Sequence, residues 1–199
     1  MHPNRAFAWD DRDAMLALIG DVGFCTVFVD GPAVVHAPVA VAAPDRLRFH
    51  VSRSNRAVPA LDGGRALLSC LGPDAYVSPD WYGTPDQVPT WNYLAVEAEG
   101  PLRRLSEAEL TGLLDALSAE HEARLAPKPA WTRGKMTPGR FAGMLKAIVG
   151  FELTVEALRG TRKLGQHKQE AERAGAAAGL APINPKLAAL MRPAQETRS

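Results

Sequence analysis

Six consecutive residues, His50-Val51-Ser52-Arg53-Ser54-Asn55, gather an imidazole, two hydroxyls, a guanidinium and a carboxamide. They close a run, Asp45–Ser52, in which Leu47, Phe49 and Val51 alternate with Arg46, Arg48, His50 and Ser52. That alternation is the signature of a strand with one apolar and one polar face. A strand end furnished this way can cradle a phosphate, with Arg as the planar multi-donor partner and hydroxyls and backbone N–H groups completing the shell. The same residues also make an ordinary polar turn, and spacing alone does not separate the two. A second donor-rich run, Arg159, Arg162, Lys163, Gln166, His167 and Lys168, reads as a solvated end and is too short to hold nucleic acid by itself.

The stretch Gly72–Gly100 holds two of the four Trp and all three Tyr. Pro79, Pro85 and Pro89 forbid a helix through its middle, because each fixes φ and removes a donor. Trp and Tyr supply large rigid contact area with a polar handle, so the segment suits a binding wall or subunit contact as well as a small aromatic core under a loop.

Other chemistry is not signalled. Nucleophile-elbow, zinc-protease, P-loop and dinucleotide-fingerprint motifs are missing. His2, His36, His50, His121 and His167 are scattered without metal-ligand spacing, so no metal site is expected, and His121 falls on the solvated side of a helix. Cys25 and Cys70 lie inside apolar runs and read as buried thiols. A net charge of +1, with no basic stripe or helix–turn–helix pattern, speaks against direct DNA binding. The N-terminus lacks an apolar signal core and no apolar run reaches the roughly 20 residues of a membrane span, so a soluble cytoplasmic protein is expected. The hydrophobic fraction of 46% and charged fraction of 23% fit a globular domain with a full core.

The elements that must position these residues follow from periodicity and turn chemistry. A helix is expected over Asp10–Asp21, then strands over Gly23–Asp30, Ala33–Ala42 and Asp45–Ser52, with Pro38 requiring an edge or a bulge. Arg53–Leu61 is a loop with one helical turn. Further strands are expected over Arg65–Leu71, Ala75–Ser78 and Trp91–Arg103. Ser106–Arg124 is the clearest helix, with Ser106 and Glu109 as a capping box. A short helix begun by Pro138 runs to Lys146, and Ile148–Leu158 returns to strand with a bulge near Gly150. Gly160–Arg173 is polar. Strands this closely spaced leave no room for parallel crossovers, so the fold class is α+β or mainly β, an antiparallel barrel with peripheral helices. Residues 1–185 form a single domain and 186–199 a C-terminal tail.

Taken together, HVSRSN at 50–55, GPDAYVSPDWY at 72–82, VPTWNY at 88–93, AEHEAR at 119–124, AIVGFEL at 147–153 and GTRKLGQ at 160–166 resemble the PaiB-type FMN-binding negative transcriptional regulator family, a branch of the flavin-reductase-like split β-barrels. The resemblance covers about Phe24 to Leu180. It implies a six-stranded antiparallel split β-barrel of the FMN-binding type, a homodimer, and FMN in a groove at the interface. His50, Ser52, Arg53 and Asn55 would hold the flavin phosphate, and the isoalloxazine would lie along His36 to Val39. Trp81, Tyr82, Trp91, Asn92 and Tyr93 would close the pocket or build the dimer, and Lys163 and Gln166 match a Lys-x-x-Gln pair expected near the cofactor or interface. The chain departs from the family pattern at Arg56, Arg162, Gly165 and His167. Flavin-dependent redox activity with NAD(P)H is the function the resemblance implies, and no residue stands out as catalytic acid or base. The alternative is a flavin-responsive transcriptional regulator without catalytic activity, and a lesser one is a haem-binding split barrel with His36 or His50 as axial ligand.

Overall fold

Period-two burial sets the sheet. The structure, a computed structural model, describes residues 2–31 and 33–192. Its strands are β1 (Ala8–Trp9), β2 (Phe24–Val29), β3 (Ala33–Ala43), β4 (Arg46–Ser52), β5 (Arg65–Val77), β6 (Thr90–Arg104), β7 (Ile148–Thr154) and β8 (Ala157–Lys163). The helices are α1 (Arg12–Val22), α2 (Val58–Leu61), α3 (Glu107–Ala123), α4 (Arg140–Leu145), α5 (Glu170–Leu180) and α6 (Pro185–Met191). The chain divides into two compact units, one of Asp11–Cys70 and Glu97–Leu158, the other of Met1–Asp10, Leu71–Val96 and Arg159–Ser199.

In the first unit β5, β2, β3, β4 and β7 follow one another and β7 pairs again with β6. The pairings β2–β3, β2–β5, β3–β4, β4–β7 and β6–β7 are antiparallel. One face buries Cys25, Val27, Val35, Ala37, Val39, Leu47, Phe49 and Val51. Phe49 lies opposite Phe151, their ring centroids 5.8 Å apart. Pro38 has a ladder on one side only, a local edge as expected. Residues 33–38 of β3 pair with β2 and those from Val39 pair with β4, so Pro38 stands at the change of partner, where its missing N–H costs least. Gly150 pairs with His50 in unbroken register rather than forming a bulge. A Cβ there would come within 2.8 Å of Leu105 and 2.9 Å of Leu110, so glycine lets α3 lie close on the sheet.

The capping box of α3 forms as its sequence dictates: the Glu109 backbone N–H donates to Ser106 Oγ and the Ser106 N–H to the Glu109 carboxylate. Leu110, Leu113 and Leu117 bury beneath it with Ala40, Leu105 and Leu145. α4 is capped by Gly139 rather than begun by Pro138. His121 is half-buried rather than solvated. It packs over Gly23, the left-handed cap of α1, where a Cβ would meet the imidazole at 2.6 Å. Cys25 and Cys70 are buried free thiols, with Cys70 donating to Leu18 O.

Glu152 is buried on the other face of the sheet, and strand register alone brings it opposite both Arg48 and Arg103. Arg48 Nε donates to Oε2 at 2.6 Å and Arg103 Nε to Oε1 at 2.8 Å, while Arg103 also grips Glu109 through both terminal nitrogens. The Arg103 guanidinium, with the cap of α3, holds the Glu109 carboxyl down at about 2. A folded-state pKa below the unfolded one contributes stability above the ordinary carboxylate pKa of about 4.5 that is lost as pH falls toward 2. The urea midpoint is therefore expected to fall across that window and to fall less in Glu109→Gln. Parallel profiles for the two proteins would contradict this assignment.

In the second unit β1 pairs antiparallel with β8, and β8, β6 and β5 are successive neighbours. Three expectations are corrected here. The strands expected at Arg65–Leu71 and Ala75–Ser78 are one strand, β5, which runs through the turn-like Gly72-Pro73-Asp74. The polar run after Gly160 begins as β8, and with β1 the strand count reaches eight rather than six among the described residues. Pro79–Tyr82 forms a 3-10 turn inside the Pro-rich loop, capped by Ser78. α6 occupies the start of the segment read as a tail, burying Leu187, Ala188 and Met191, and residues 193–199 lie outside the described residues.

Candidate functional site

The end of β4 is the most chemically dense place in the first unit. His50 faces Gly150 across the β4–β7 ladder, and its Nδ1 is buried without a hydrogen-bond partner. Burial lowers the imidazole pKa, so the ring is neutral near pH 7. Beyond it the chain turns tightly. The Arg53 N–H donates to Ala147 O, Asn55 N–H to Ser52 O, and Ala57 N–H to Asn55 Oδ1. Asn55 is thus the residue that bends the chain into α2. The Ser52 and Ser54 hydroxyls share a 2.9 Å hydrogen bond on the exposed side.

Arg53 is the fixed point. Its Nε donates to Lys146 O at 2.8 Å and its Nη2 to Ile148 O at 3.0 Å. Both bonds are made by Nε and Nη2, and they remove the rotamer freedom a surface Arg would otherwise lose on binding. The side chain lines a cavity of about 190 Å³ with Arg104, Lys146 and Glu107. The lining carries three cations and one carboxylate, with Arg104 also 3.4 Å from Asp62, and a planar guanidinium is the donor type that suits an oxyanion. Arg104 and Lys146 escaped the sequence reading, since nothing local relates positions 53, 104 and 146.

His36 lies elsewhere in this unit, on the exposed face of β3, its Nδ1 3.2 Å from Thr26 Oγ1. Along His36 to Val39 the strand offers a ligand only alternate positions, because Ala37 and Val39 are buried. The same face exposes Phe24 (59%), Phe28 (41%) and Val34 (42%), with Phe28 opposite Val34.

In the second unit the remaining candidates are drawn into packing. Trp91 is exposed, donating from Nε1 to Asp74 Oδ1 at 2.8 Å and meeting Tyr76 edge-on. Asn92 is 0% exposed, its Nδ2 on Met191 Sδ and its Oδ1 unpartnered. Tyr93 is half-buried. Lys163 Nζ donates to Thr90 Oγ1 and to Trp91 O at 2.9 Å and lies over the Phe7 ring, and burial lowers its pKa. Gln166 ties a turn together, donating to Ala6 O and Arg162 O and accepting from Leu164 N–H. Trp81 seats against α5, where Gly175 and Gly179 leave it room, and Tyr82 is buried under Lys168. No helix among the described residues is long and apolar enough to cross a membrane.

Residues 1–157 match a family model described as "Putative FMN-binding domain". Among curated proteins, "Protease synthase and sporulation protein PAI 2" of Bacillus subtilis is 36% identical over 106 residues, 53% of this chain and 50% of that one. The chain therefore spans about half the length of that relative. Among solved structures, the FAD and haem binding protein from Mycobacterium smegmatis superposes with a TM-score of 0.59 at 18% identity, covering 78% of this chain and 73% of that one. The flavocytochrome Anf3 from Azotobacter vinelandii gives 0.57 at 18% identity, covering 81% and 72%. At such identities these two likenesses speak to the fold. With the family model spanning most of the sequence, and a phosphate-suited strand end inside the matched region, the chain belongs to the FMN-binding domain family of the PaiB type.

Proposed function

We propose that the chain is a split-barrel flavoprotein in which the end of β4 holds the FMN phosphate and two copies assemble around the cofactor. The observation that carries this is Arg53, pinned by two main-chain carbonyls at a cavity it lines with Arg104 and Lys146, one residue from each of Ser52 and Ser54 in the chain. Arg53 and the serine hydroxyls bind the phosphate, Asn55 shapes the turn beneath it, and the half-buried His50 stands at the same strand end. Bound FMN supplies the hydride and electron chemistry, with a reduced nicotinamide nucleotide as donor. The protein contributes binding, orientation and exclusion of water.

Removing Arg53 removes a charge-assisted contact worth roughly 1.5–3 kcal/mol, so Arg53→Ala is expected to raise the Kd for FMN about 10- to 100-fold relative to Arg5→Ala. Flavin fluorescence quenching measures both, with melting temperatures recorded because Arg53 also anchors Lys146 and Ile148. Equal titration curves would remove the phosphate assignment.

The partner is a second copy of the chain, meeting the exposed face of β2 and β3. Phe24, Phe28 and Val34 give that face an exposed apolar patch whose burial against a second copy would be favourable. Sedimentation equilibrium is expected to give twice the chain mass for the native protein and the single-chain mass for Phe28→Asp. A native monomer would sink the dimer.

A further inference from the structure

The unit of residues 1–10, 71–96 and 159–199 contains a cavity of about 560 Å³ that the flavin reading leaves unused. Three arginines from three separate places line it: Arg162 at the end of β8, Arg173 on α5 and Arg192 just past α6. No acidic side chain is among its lining residues within the described part of the chain. Guanidinium groups brought to one cavity repel each other unless an anion joins them, so the arrangement stores a demand for negative charge. A second observation points the same way. Arg173 Nε is shut off from solvent and has no hydrogen-bond partner. A charged N–H left unpaired is costly, and among the described residues nothing satisfies it. The site is also firm, since Gln166 staples Arg162 O, Ala6 O and the Leu164 N–H into one turn.

We propose that this cavity is a second phosphate site that binds a nucleoside diphosphate, independent of the flavin phosphate at Arg53. Three arginines suit a ligand with several negative charges better than a single phosphate monoester. The volume lies within the range of small-molecule pockets and far exceeds what one phosphate needs. Leu164, Leu190 and Met191 add an apolar wall on which a flat base can lie.

The test is calorimetric titration of the full chain with ADP, inorganic pyrophosphate and adenosine, on native protein and on Arg162→Ala, Arg192→Ala and Arg53→Ala. Arg162 and Arg192 are exposed, so their removal is expected to leave the melting temperature unchanged. ADP is expected to bind the native chain, pyrophosphate more weakly, and adenosine not measurably. Each cavity variant is expected to weaken ADP about 10-fold or more, as loss of a charge-assisted contact does, while Arg53→Ala changes it less than about twofold. FMN affinity is expected to respond in the opposite pattern. No ADP binding to native protein at millimolar concentration, or unchanged ADP affinity in both cavity variants, overturns the proposal. Loss of ADP binding in Arg53→Ala overturns it too, because ADP would then occupy the flavin phosphate position. FMN weakened by Arg162→Ala but not by Arg53→Ala would mark the cavity as the flavin's own site, ending both this inference and the reading above.

Discussion

Replacing Glu152 with alanine is expected to destabilise the first unit by about 2–3 kcal/mol, the cost of leaving two partly buried guanidinium groups short of their shared acid partner. Glu152 is 2% exposed and takes a hydrogen bond from Arg48 across the β4–β7 ladder and from Arg103 across the β6–β7 ladder. With the carboxylate gone, Arg48 keeps only its 3.5 Å approach to Glu109, and Arg103 loses one of its two acid partners. Glu152→Gln retains the shape and an acceptor and is expected to cost less. A buried ion cluster contributes little net stability over an apolar one, so replacing Arg48, Arg103 and Glu152 together by Met, Met and Leu is expected to cost less than Glu152→Ala alone. Chemical denaturation reads all three. A Glu152→Ala protein within about 1 kcal/mol of native would show that the cluster is solvated rather than dry.

Gly179→Ala is expected to cost about 2–3 kcal/mol, against the roughly 1 kcal/mol that alanine ordinarily gains over glycine inside a helix. A Cβ at Gly179 would lie 2.5–2.7 Å from three atoms of the Trp81 ring, and one at Gly175 would lie 2.4 Å from Trp81 O. The two glycines, one turn apart on α5, form the slot that takes the 3-10 turn Pro79–Tyr82. Trp81→Ala empties the slot, and in that background Gly179→Ala is expected to become neutral or stabilising. This reversal of sign is the mark of a steric contact. Stabilisation by Gly179→Ala in the native background would contradict the packing. A Trp held this way is a structural anchor, which separates it from the exposed Trp91 ten residues later.

What could be read in advance follows how local each signal is. The alternation of β4 and the Ser106–Glu109 box needed only neighbours, and both formed. β8 stayed hidden because its buried positions are Gly160 and Thr161, which carry no apolar signal. β5 passed for two strands because Gly72-Pro73-Asp74 has turn composition, and sheet pairing overrides that preference. The donors of 50–55 were visible, but not the carbonyls of Lys146 and Ile148 that orient Arg53, nor Arg104 and Lys146 beside it. By residue type Lys163 and Gln166 belong to a solvated end, and only the family resemblance implies a place for them near the cofactor or interface. Folding spends them on Thr90, Trp91, Ala6 and Arg162 instead. The Gly175–Gly179 slot for Trp81 joins segments nearly a hundred positions apart, and no local pattern announces it.

The flavin reading stands on recognition of a phosphate at the end of β4, so the decisive measurement compares FMN with riboflavin, which differ only by that group, in equilibrium titrations of the purified chain. FMN is expected to bind about 10-fold tighter or better, as a charge-assisted phosphate contact requires. Equal affinity for the two flavins, or no uptake of FMN, would contradict the account.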